Sequence, residues 1–147
     1  MGAHPYWYYV PYQKDLNKAL QELREREFKA GRYNPVTRFP KFPVDDRFRS
    51  LGAQHDSIED AVAAAAEDGT RSILDIESVD DEPDFGMAGP LEDDALDEIF
   101  GTTEPTHDVL EDNLNCLERL DRGQCLYIIV YKENLPDEIF FGGISFD

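Results

Sequence analysis

Hydrophobic positions recur along this chain with two periods, two and 3.6, and the switches between them mark its elements. Residues 4–12, His-Pro-Tyr-Trp-Tyr-Tyr-Val-Pro-Tyr, are aromatic and β-branched, which predicts a strand limited in length by its prolines. Tyr6, Tyr8 and Val10 then share one face, and Trp7 and Tyr9 the other. Asp15 and Gly31 bracket a helix over 16–30, with Leu16, Leu20, Leu23 and Ala30 as its apolar stripe. Glu27 falls inside that stripe, a local conflict between pattern and residue.

Residues 32–50 hold three prolines and four aromatics, so the expectation there is an extended loop pinned by its rings. Ser57 opens an alanine-rich helix that runs to Asp68 and stops at Gly69. Residues 70–79 follow as a strand with Ser72, Leu74 and Ile76 on one face. Residues 80–90 read as an acidic, mobile loop rich in Gly and Pro. A short helix is expected at 91–100 and a longer one, capped by Thr106, at 107–122 with Asn113 among its inward residues. The strongest strand, 124–132, is apolar on both faces and therefore central, and 138–146 returns antiparallel to it after a turn at 133–137. Gly142 and Gly143 in that last strand imply a bulge or a close backbone approach.

The element order is thus β-α-loop-α-β-loop-α-α-β-β. It predicts one α+β domain over residues 1–147, a mostly antiparallel sheet of about four strands with helices packed on it. Length agrees, because 147 residues suffice for one real core.

Charge changes the picture more than size does. The chain carries 32 acids against 14 bases, a net charge of −18. Residues 1–50 are mildly basic, whereas residues 72–118 contain 16 acids and no Lys or Arg. That balance speaks against nucleic-acid or anionic-membrane binding, both of which need positive charge. The longest apolar runs, 61–66 and 126–131, are far too short to span a bilayer. The first residues show neither a signal-peptide pattern nor a myristoylation signal, since Tyr6 stands where that signal needs Ser or Thr. Cys116 and Cys125 form no disulfide framework and read as two buried thiols in a reducing, cytoplasmic compartment.

Candidate chemistry is sparse. Asp80, Glu82 and Asp84 imitate the start of a calcium loop, but Phe85 replaces its turn glycine and Leu91 its final Glu. His4, His55 and His107 are scattered, and no paired spacing suggests zinc, so neither a metal nor another cofactor is expected. No nucleophile elbow or phosphate loop is present. Glu27 is the one candidate for acid–base catalysis, because desolvation favours the neutral form of a carboxylic acid. The competing reading is a structural pairing with Arg32, Arg38 or a tyrosine hydroxyl.

Two surfaces remain. Trp7, Tyr9, Tyr33 and Phe39, interleaved with Arg32, Arg38 and Lys41, combine the residue types that anchor protein interfaces. The two predicted helices in the acidic stretch display Asp93, Asp94, Asp97, Glu98, Asp108, Glu111, Asp112 and Glu118 outward. A surface of that kind steers a basic partner, as in proteins that neutralise nucleases or occupy DNA-binding sites. The expectation is therefore a non-enzymatic, acidic interaction domain that binds or neutralises a basic protein. The alternative is a small enzyme with Glu27 in an aromatic-lined pocket.

Overall fold

A computed structural model describes residues 3–36, 42–44 and 51–146. Its scaffold is a five-stranded mixed sheet in the order β1-β5-β4-β3-β2. The strands are β1 (Pro5–Pro11), β2 (Ser78–Val79), β3 (Met87–Pro90), β4 (Cys125–Lys132) and β5 (Leu135–Ile144). The helices are α1 (Leu16–Ala30), α2 (Ile58–Ala65), α3 (Asp93–Phe100) and α4 (His107–Glu111).

Caps set the helix bounds. The Asp15 side chain accepts from the Lys18 amide at 3.0 Å, and Ser57 does the same for Asp60 at 3.1 Å. Gly31 closes α1 at φ +73°, and a Cβ there would run into the Gly52 carbonyl. Glycine is needed at this point for conformation and for clearance together.

The sheet sorts the core by strand parity. β1 and β5 pair antiparallel with Tyr6 opposite Gly143, Tyr8 opposite Phe141 and Val10 opposite Ile139, all on one face. That face packs against Ala19, Leu20 and Leu23 of α1 and against Ile73 and Ile76. The other face presents Leu126, Ile128, Val130 and Phe140 to Leu110, Cys116 and Leu117, with Trp7, Tyr9, Leu96 and Ile99 packed around them. Phe28, Tyr33, Ala61 and Leu74 form a smaller cluster that joins α2 to α1. The two aromatic faces of β1 are therefore both sandwiched. Glu133 and Asn134, at φ +53° and +66°, make the two-residue turn that joins β4 to β5.

Two expectations about the sheet need correction: it has five strands rather than four, and its β2–β3 and β3–β4 pairs are parallel. The strand expected at 70–79 survives only as Ser78–Val79. Upstream, the side chains compete for the backbone. Ser72 Oγ accepts from the Leu74 amide at 3.3 Å, Asp75 Oδ1 accepts from the Thr70 amide at 2.8 Å, and Ile73–Asp75 closes into a 3-10 turn. Leu74 consequently leaves the side of Ile76 for the cluster around Phe28.

Conversely, Met87–Pro90 lies inside the stretch read as a loop, yet pairs with β4 through Ala88–Cys125 and Gly89–Leu126. The return from β3 through α3 and α4 to β4 is a parallel crossover, which by its nature places helices on a sheet face. The helix expected over 107–122 breaks after Glu111 and continues as a 3-10 segment, Leu114–Arg119. Asn113 sits at the break: its side-chain amide donates back to the Val109 carbonyl at 2.8 Å while its backbone leaves the helical region. The extended loop expected at 32–50 falls largely on residues 37–41 and 45–50, outside the described residues.

Candidate functional site

Glu27 lies on the last turn of α1 with no solvent exposure. Arg32, five residues on and past the Gly31 cap, turns back onto it: Nε donates to Oε1 at 2.8 Å and Nη2 to Oε2 at 2.7 Å. Arg26 Nε adds a third bond to Oε2 at 3.0 Å. Both carboxylate oxygens are thus engaged by guanidinium donors, Arg32 in bidentate geometry. A cavity of about 260 Å³ opens nearby between the end of β1 and α1, lined by Tyr12, Gln13, Glu22 and Arg26 but not by Glu27.

The acidic residues occupy the opposite side of the sheet. Leu96, Ile99 and Phe100 of α3 and Leu110, Cys116 and Leu117 of the next segment pack on the same sheet face. This leaves Asp93, Asp94, Asp97, Glu98, Asp108, Asp112 and Glu118 exposed on one helical layer. An ion pair from Arg119 Nη2 to Glu98 Oε2, 3.2 Å long, ties the two parts of the layer together. Glu111 is the exception, being half-buried and accepting a hydrogen bond from the Tyr9 hydroxyl. Burial, that hydrogen bond and the charges of Glu111 and Glu138 raise the Tyr9 pKa far above its usual value.

Of the aromatic candidates, Trp7 and Tyr9 border this layer, both half-buried. Tyr9 stacks on His107 with centroids 4.1 Å apart, and His107 Nδ1 lies 3.1 Å from Glu138. Tyr33 is fully buried, stacked on Phe28, with its hydroxyl 2.7 Å from His55 Nδ1. Phe39 lies outside the described residues. The structure therefore brings Tyr9 onto Glu111 and places Tyr33 in the core.

Cys125 belongs to the cluster under α1 and Cys116 to the cluster on the other face, so the sheet separates two free, buried thiols. Burial pushes the Cys116 thiol up to about 11 and Cys125 higher still. Among the described residues no group of three or more His, Cys, Asp or Glu side chains could hold a metal ion, and no helix is long and apolar enough to cross a membrane.

Two features escaped the sequence pattern. One is the buried carboxyl of Asp75, whose Oδ1 accepts from the Thr70 amide and hydroxyl, both at 2.8 Å, while Oδ2 has no hydrogen-bond partner among the described residues. Its signal was the polar string Thr70-Arg71-Ser72 inside an apparent strand. The other is a cavity of about 190 Å³ beside β4, lined by Tyr127, Ile129 and Tyr131 and by residues that follow β3. Compared with known protein families, curated proteins and solved structures, the chain matches none.

Proposed function

We propose that the protein is a non-enzymatic interaction domain whose acidic helical layer binds, and thereby neutralises, a basic protein. One observation carries the reading: seven exposed carboxylates from α3, from α4 and from the 3-10 segment after it lie on one layer, with Arg119 paired to one of them. Carboxylates crowded on one side repel each other and destabilise the isolated protein, and a cationic surface relieves that repulsion. The same field accelerates encounter with a basic partner and weakens with added salt. Trp7 and Tyr9 at the border of the layer would supply apolar anchorage.

Glu27 fits a structural role in this reading, because its oxygens are held by Arg32 and Arg26. Two free, buried thiols suit a reducing compartment such as the cytoplasm.

The test is capture from host lysate by the wild-type protein and by a quadruple variant, D94N/D97N/D112N/E118Q, at low and at high salt. The reading expects a basic protein retained by wild type at low salt, shed at high salt and absent from the variant. Equal retention by the variant, or no capture at either salt, would overturn it.

A further inference from the structure

β3 stops early. Its last ladder pair with β4 is Pro90–Tyr127, and the next backbone contact on that edge is the Tyr131 amide donating to the Pro105 carbonyl at 2.8 Å. Between them lies a stretch of β4 where the chain has left for α3. Backbone groups two residues apart on a strand point the same way, so the Ile129 amide and carbonyl face the same open edge as the Tyr131 amide. The cavity of about 190 Å³ occupies this notch, with Asp93 at the start of α3 and Thr103 at its margin.

Three properties define what it can accept. Its volume is below the roughly 300–1,000 Å³ of pockets that enclose a whole small molecule, and suits one side chain. Among the described residues Asp93 is the only charged one that lines it, and no Lys or Arg occurs in the sequence between residues 72 and 118. Tyr127 and Tyr131 are both among the residues that line it. Burial, and after it the charges of Glu104, Tyr12 and Asp93, raise the Tyr131 hydroxyl above its usual range.

We propose that this notch is the receptor for one arginine side chain of the basic partner. A guanidinium offers five donors in a plane: it can meet the Asp93 carboxylate and the outward carbonyl of the β4 edge while its face lies against a tyrosine ring. A lysine ammonium supplies the charge but neither the plane nor the fork. The inference rests on the reading of the acidic layer as a partner-binding surface, since Asp93 belongs to both. It specifies where a charge attraction that is otherwise diffuse acquires a defined contact.

The probe is N-acetyl-L-arginine methylamide, titrated into the isotopically labelled protein by NMR, with the lysine and citrulline counterparts as controls. Expected are shifts centred on the amides of Tyr127, Ile129 and Tyr131, with a dissociation constant on the order of millimolar for a single side chain. D93N should weaken binding by about tenfold or more, the loss expected for a hydrogen bond to a charged group. Thr103 is exposed, so T103Y fills the mouth without disturbing the core and should abolish the shifts. Shifts absent from β4, equal binding of citrulline or lysine, or indifference to both substitutions would overturn the proposal.

The two readings fail separately. Salt-sensitive capture that survives T103Y and D93N, with no arginine shifts, would remove the notch and leave the acidic layer. Arginine binding at the notch with no captured partner would remove the layer and leave the notch.

Discussion

Arg32 grips Glu27 through two parallel hydrogen bonds of 2.8 and 2.7 Å, at a position where the carboxylate has no contact with solvent. The pair joins the end of α1 to the chain that leaves it. Loss of Arg32 leaves the buried carboxylate with the single Arg26 bond, whereas loss of Glu27 and Arg32 together leaves no buried carboxylate to compensate. R32M is expected to cost about 3–5 kcal/mol in urea denaturation, and E27M/R32M markedly less than that. Equal costs for the single and the double variant would show that the ion pair is not what holds this corner.

Asp75 should make stability fall with rising pH. Burial is the largest influence on its carboxyl and raises its pKa, against the lowering effect of the Thr70 hydrogen bonds. A folded-state pKa above the unfolded value of about 3.9 means that the fold favours the protonated acid. The contribution is fully present below that value and is lost as pH rises through the folded-state pKa. D75N removes the titration while keeping an acceptor for Thr70. The stability of D75N relative to wild type should therefore climb across this window, read as denaturation midpoints at successive pH values. A difference independent of pH would contradict it.

Tyr6 and Gly143 are matched across the β1–β5 ladder. The Tyr6 hydroxyl is buried with no hydrogen-bond partner among the described residues, and a Cβ on Gly143 would clash with it. Removing an unsatisfied buried hydroxyl is nearly neutral or stabilising, so Y6F should unfold at the same denaturant concentration as wild type or a higher one. G143A should cost about 1–3 kcal/mol as an overpacked site. In the Y6F background that cost should shrink, and additive effects would show that the two do not touch.

The thiols provide a test of packing. Cys116 and Cys125 are free, buried and on opposite faces of the sheet. A thiol reagent should label neither in the native protein at neutral pH and both after denaturation, without prior reduction. Rapid native labelling would mean that one face opens locally.

Legibility in the sequence followed the range of the forces involved. The starts of α1, α2 and α4 were readable because Asp15, Ser57 and Thr106 act on amides within three residues. The two faces of β1 followed from strand alternation, and the centrality of β4 from its being apolar on both faces. The false strand at 70–79 arose because Ile73 and Ile76 advertise β structure while Thr70, Ser72 and Asp75 bind one another and the intervening backbone. β3 was hidden for the opposite reason: Met-Ala-Gly-Pro has little strand preference, and its extended form is held by neighbours on both sides. Glu27 stood out as a conflict, and the nearby Arg32 resolves it. The notch beside Ile129 could not be read, because it is created by where another strand ends.

The pairing of β1 with β5 also sets how the molecule responds to force. The ladder begins at Pro5–Ile144, and beyond it the Ser145 amide donates to the His4 carbonyl, so both ends of the described chain leave from the same corner. Tension applied between residues 4 and 145 would load these cross-strand bonds one after another, as in a zipper, rather than all together as in shear. β1 would peel first and carry Trp7 and Tyr9 away from the helices that hold the acidic layer.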